Sequence, residues 1–159
     1  MLLREKKVNL GEIKGSISSG QTIGNLYSNT GFGIYGNITN LSGLNISTDN
    51  AIDVANRDEI KTGPAKVILN LENGVRKEYD IQIMKVYKNN NSNNKSMLIK
   101  VTDKRLLDLT GGIIQGMSGS PIVQNGKFVG AVTHVLVDDP TEGYGVFGDL
   151  MIKQSREIQ

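Results

Sequence analysis

An all-β barrel or sandwich is the fold class this sequence predicts, on three observations. Short β-rich runs bounded by Gly and Asn turns recur along the chain, two of those turns are Asn-Gly pairs, and neither internal repeats nor helical heptads appear. Asn-Gly tolerates the positive φ angles of a tight hairpin turn, so each such pair between β-rich runs predicts two paired strands.

The elements follow in chain order. Gly24 to Gly36 alternates glycine with Tyr27, Phe32, Ile34 and Tyr35, the pattern of a bent or bulged strand. Its Gly31-Phe32-Gly33-Ile34-Tyr35-Gly36 segment has the look of a phosphate-binding loop, but no helix pattern follows and no basic residue lies within it. A barrel corner is the expectation there. Val67 to Leu71 and Arg76 to Ile83 flank Glu72-Asn73-Gly74 and predict a hairpin. Residues 89 to 94, Asn-Asn-Asn-Ser-Asn-Asn, hold no apolar group to bury and predict a solvated loop. Met97 to Val101 reads as a further strand, Lys104 to Leu109 as a short helix, and Ile122 to Gln124 with Lys127 to Val137 as a second hairpin turning at Asn125-Gly126. A last helix is expected from Leu150 onward. Alternation places Val67, Leu69, Ile81, Ile83, Leu98, Val101, Ile122, Val129, Ala131 and Val135 in the predicted core of a barrel over about residues 64 to 149.

Composition removes whole classes of function. The 159 residues amount to about one domain, and 18 basic against 16 acidic residues give a net charge of +2, with no basic field for nucleic acid and no acidic tail. No nucleic-acid partner is expected. There is no cysteine, which excludes thiol catalysis and thiolate zinc sites, and no cofactor or metal is expected. The longest nearly apolar run, Phe128 to Val137, is too short to span a bilayer and contains His134, so no membrane segment is expected in this chain. The start, Met1-Leu2-Leu3-Arg4-Glu5-Lys6-Lys7, is not the apolar segment of a signal peptide, and no export signal is expected.

The chemistry concentrates in Gly116-Met117-Ser118-Gly119-Ser120-Pro121. A serine between glycines on a tight turn can be a nucleophile, and the turn can aim the Gly116 and Ser118 amides at a developing oxyanion. The bland alternative is a surface serine in a Gly-Ser turn. Hydrolysis by this route needs a base, and the single histidine, His134, lies sixteen residues after the serine in the second predicted hairpin. Two readings of His134 stand: a base, or a residue that lines a substrate path or is held structurally. Asp103 also has two readings. Thr102-Asp103 ahead of Lys104-Arg105-Leu106-Leu107 has the form of a helix N-cap, and its carboxylate could equally serve the serine.

The serine block, with Thr110 to Gln115 before it and Gly130 to Val135 and Asp139 to Val146 after it, resembles the stage IV sporulation protein B (SpoIVB) peptidase family. The similarity extends upstream through Lys61 to Ala65, Ile99 to Asp103 and Gly31 to Gly36. It implies a chymotrypsin-like β-barrel peptidase fold, with residues 1–63 as a partial first barrel or linker region and residues 64–159 as the complete, nucleophile-bearing barrel with a C-terminal segment. It implies Ser118 as nucleophile, Asp103, fifteen residues earlier, as the acidic member, and Gly116 and Ser118 amides as the oxyanion hole. Thr133, His134 and Val135, with Gly143, Tyr144 and Gly145, match strands that line the substrate. The partner implied is a polypeptide substrate or regulatory membrane protein, cut in the space between forespore and mother cell to trigger mother-cell sigma-factor processing. The family's catalytic histidine lies in a Gly-His motif expected shortly upstream of Met1, and no residue here matches it. The family's usual membrane segment and PDZ domain are likewise unmatched. A catalytically incomplete peptide-binding or regulatory module is therefore the alternative reading.

Overall fold

The structure, a computed structural model, describes residues 2–3, 8–9, 24–39, 51–72, 75–89 and 94–157. Two antiparallel pairs come first in the chain: β1 (Leu2–Leu3) with β2 (Val8–Asn9), and β3 (Gly24–Thr30) with β4 (Gly33–Ile38). A 3-10 turn at Arg57–Glu59 leads into β5 (Gly63–Glu72), β6 (Val75–Val86), β7 (Met97–Val101), β8 (Pro121–Gln124), β9 (Lys127–Val135) and β10 (Glu142–Phe147). These six close a barrel in the order β10-β7-β6-β5-β8-β9. Helix α1 (Lys104–Thr110) joins β7 to the serine turn, and α2 (Gly148–Glu157) follows β10 directly. No helix among the described residues is long and apolar enough to cross a membrane.

Both predicted hairpins form. At the second, Asn125 and Gly126 have φ of 52° and 76°, the two positive angles of a type I′ turn. At the first, β5 pairs with β6 as far as Glu72 opposite Val75, while Asn73 and Gly74 lie outside the described residues. The Gly24 to Gly36 stretch is a hairpin in its own two-stranded sheet, with a bulge between Leu26 and Ser28, rather than a corner of the barrel. Residues 90–93 of the predicted solvated loop also lie outside the described set.

The barrel encloses the core. Ile83, Met97, Ile122 and Phe147 are fully buried, and each such side chain stabilises the fold by about 1.5–3 kcal/mol. Eight of the ten predicted core residues are buried, but Leu98 is only partly so and Val135 is 38% exposed. Leu98 and Val101 are an odd number of residues apart, so one strand cannot turn both inward; β7 buries Met97, Ile99 and Val101 instead. Val135 ends β9, past a bulge in its pairing with β10. A buried polar clamp ties the barrel entrance to β8: the Gln124 amide group donates to the Lys61 and Pro64 carbonyls, at 3.0 and 3.1 Å, and its oxygen accepts from the Lys61 amide at 3.1 Å.

Candidate active site

The serine turn is pinned from both sides. Met117 is 4% exposed while its neighbours Gly116 and Ser118 are exposed, so an apolar anchor holds two amides and a hydroxyl at the surface. The Met117 amide donates to Ile114 O at 3.1 Å and the Ser120 amide to Met117 O at 3.0 Å, closing the turn on itself. The Gly119 amide donates to Val132 O at 2.8 Å and the Val132 amide to Ser120 O at 3.0 Å, which fastens the turn to β9. Gly116 and Gly119 have φ of 100° and 88°, where a side chain would be strained. Neither the Gly116 nor the Ser118 amide donates to a backbone carbonyl among the described residues.

Ser118 opens onto a cavity of about 520 Å³. One wall is the β9 stretch Ala131 to His134 with Ser118 and Gly119, and the facing wall is the β3–β4 tip, Thr30 to Ile34. The Ser118 hydroxyl donates to Thr133 O at 2.9 Å. No hydrogen bond joins it to His134 among the described residues, although His134 is exposed and lines the same cavity. Thr133 falls in the β9 bulge, between the Tyr144–His134 and Gly145–Val132 pairs, and its own hydroxyl donates to Asn94 O and Tyr144 O at 2.9 and 3.1 Å.

Asp103 is not among the residues lining that cavity. It is the N-cap of α1, with one carboxylate oxygen accepting from the Arg105 amide at 2.9 Å and the Arg105 Nε at 3.0 Å. The other oxygen accepts from the Asp80 amide at 3.1 Å and the Arg105 Nη2 at 2.6 Å. The Arg105 guanidinium, opposed by burial, holds the carboxyl well below the usual carboxylate range. Neither Ser118 nor His134 is among its partners.

The predicted substrate-lining set divides. Thr133 and His134 reach the cavity beside Ser118; Val135, Gly143, Tyr144 and Gly145 do not line it. At Gly143 and Gly145 the packing leaves little room for a side chain. A Cβ on Gly145 would stand 2.9 Å from Ile122 Cδ1 and 3.1 Å from Ala131 O, and one on Gly143 would meet His134 O and Ile113 Cδ1. Both are buried strand residues that let neighbouring backbone and core approach. The Tyr144 ring instead carries the Lys95 ammonium 5.1 Å from its centre. Sequence reasoning missed the facing wall, Thr30 to Ile34 with Asn94, because nothing in a glycine-rich hairpin or an asparagine tract points to a partner sixty or more residues away.

A closed six-stranded barrel, a second partial sheet and a glycine-flanked serine at the groove between them define a chymotrypsin-like protease fold, and solved structures agree. The Rv3671c protease from M. tuberculosis in its active form is similar with a TM-score of 0.58 at 16% identity, covering 85% of this chain and 58% of that one. The HtrA-type protease AlgW with decapeptide is similar with a TM-score of 0.58 at 17% identity, covering 85% of this chain and 40% of that one. An inactive form of Rv3671c gives a TM-score of 0.56 at 15% identity over 85% of this chain and 66% of its own. This chain therefore spans less than two thirds of these proteases. No curated protein matches the sequence. Residues 2–152 match the SpoIVB peptidase S55 family, and the chain belongs to that family.

Proposed function

We propose that this chain is the nucleophile-bearing domain of a serine endopeptidase, in which Ser118 attacks a peptide carbonyl. The observation that carries this is the serine turn, with an exposed hydroxyl beside two amides that have no carbonyl partner among the described residues, at the mouth of a cavity. In this reading the Gly116 and Ser118 amides receive the negative charge that develops on the carbonyl oxygen. Thr133 and His134 flank the bound peptide. Asp103 serves the domain by capping α1; its four bonds to Arg105 and Asp80 support that role over orientation of an imidazole. Family membership further suggests a regulatory membrane protein as substrate, cut outside the cytoplasmic membrane between forespore and mother cell.

One observation favours a second reading, a module that binds peptide without cutting it. The Ser118 hydroxyl donates to a carbonyl, whereas an activated serine gives its proton to a base. Fluorophosphonate labelling separates the two. Loss of a triad histidine lowers turnover by a factor on the order of a million, so residues 1–159 should label slowly or not at all. Joining a Gly-His segment of the family ahead of Met1 should restore labelling, and Ser118→Ala should abolish it with the fold intact. Fast labelling of the present chain that is lost on His134→Ala would make His134 the base.

A further inference from the structure

The wall that faces Ser118 carries a feature the peptidase reading does not use. Asn94 ties the β3–β4 tip to the barrel: its Nδ2 donates to Gly31 O at 2.8 Å, while its backbone carbonyl accepts from the Thr133 hydroxyl at 2.9 Å. Asn94 thus bridges the hairpin to the same residue whose carbonyl receives the Ser118 hydroxyl. Between the walls, none of the described lining residues is Asp, Glu, Lys or Arg, and Phe32, Ile34 and Met151 supply apolar surface. Ile34 is 63% exposed, so apolar area remains to be covered. A charged side chain entering here would lose hydration and meet no acidic or basic side chain among the described lining residues, whereas an apolar one would bury surface on both walls.

We propose that the β3–β4 tip is a specificity wall of the Ser118 cleft, that it selects an apolar side chain of a bound peptide, and that Asn94 is the residue positioning it. The inference rests on the reading of this cleft as a peptide path. With the tip fastened, Phe32 and Ile34 stand opposite β9 across the cavity. With the Asn94 bond removed, the tip loses this tie to the barrel and the wall no longer discriminates.

The test uses the whole chain as the Ser118→Ala variant, with fluorescent decapeptides that carry Leu, Phe, Asp or Lys at one varied central position. Leu and Phe peptides should bind about tenfold or more tighter than Asp and Lys peptides. Phe32→Ala should reduce that ratio without altering the unfolding midpoint. Asn94→Ala should also reduce it, and should speed amide exchange at Thr30 to Ile34 by about fivefold or more, the effect of one hydrogen bond. Equal affinity for apolar and charged peptides would overturn the specificity wall, and unchanged exchange in Asn94→Ala would overturn the tether. Absence of any peptide binding in a chain whose Ser118 is still labelled with the Gly-His segment attached would overturn the subsite and leave the peptidase reading standing. Apolar-selective binding without labelling in that extended chain would do the reverse.

Discussion

The Asp103 carboxylate accepts four hydrogen bonds, so its removal strands donors on two elements at once. Asp103→Ala leaves the Asp80 and Arg105 amides unmet beside the entry to α1 and should destabilise the domain by about 1–3 kcal/mol, read from the denaturant midpoint. Protonation acts in the same direction. Because the folded-state pKa is depressed, the contribution is fully present above the unfolded value of about 3.9 and is lost as pH falls below it. Stability in the wild type should therefore drop more steeply between pH 4 and pH 2, on the order of the linkage effect of one such group, than in Asp103→Asn. Equal slopes would remove the cap from the acid response. Ser118 needs a different argument, since its hydroxyl bond to Thr133 O is exposed and adds little to the fold, and this is why Ser118→Ala separates chemistry from folding.

At the scale of elements, β10 is the barrel strand that sequence patterning overlooked. Gly143 and Gly145 dilute its β signal, yet they are what lets it close the barrel between β7 and β9. Gly145→Val should force atoms against Ile122, Ala131 and Met97, and lower stability by about 1–3 kcal/mol, the usual result of overpacking. An unchanged unfolding midpoint in that variant, with weakened peptide binding, would reinstate Gly145 as a groove residue. The β3–β4 hairpin has the opposite character: Leu26, Ile34 and Ile38 are 77%, 63% and 55% exposed, and among the described residues Asn94 ties its tip to the barrel.

For the whole molecule, the core cluster among the described residues runs from Ala55 to Phe147, with Leu150 packed against it. A chain of residues 51–159 should unfold cooperatively in urea, with an m-value in the range of about 1–3 kcal/mol/M for a small domain. A broad, non-cooperative transition would show that the preceding segments complete the core.

Sequence alone determined the all-β class, the two Asn-Gly hairpins and both helices, because each of these rests on local rules of turn geometry, capping and two-residue alternation, and it pointed to Ser118 as the candidate nucleophile. It left Asp103 between two roles, since a cap and a catalytic carboxylate have the same local spelling. Tertiary structure decided which way that carboxylate turns, through Arg105 and Asp80. It also decided that Gly143 and Gly145 pack the barrel, and that the β3–β4 tip and Asn94 face Ser118. Such juxtapositions join residues dozens of positions apart, and barrel closure rather than any local pattern brings them together.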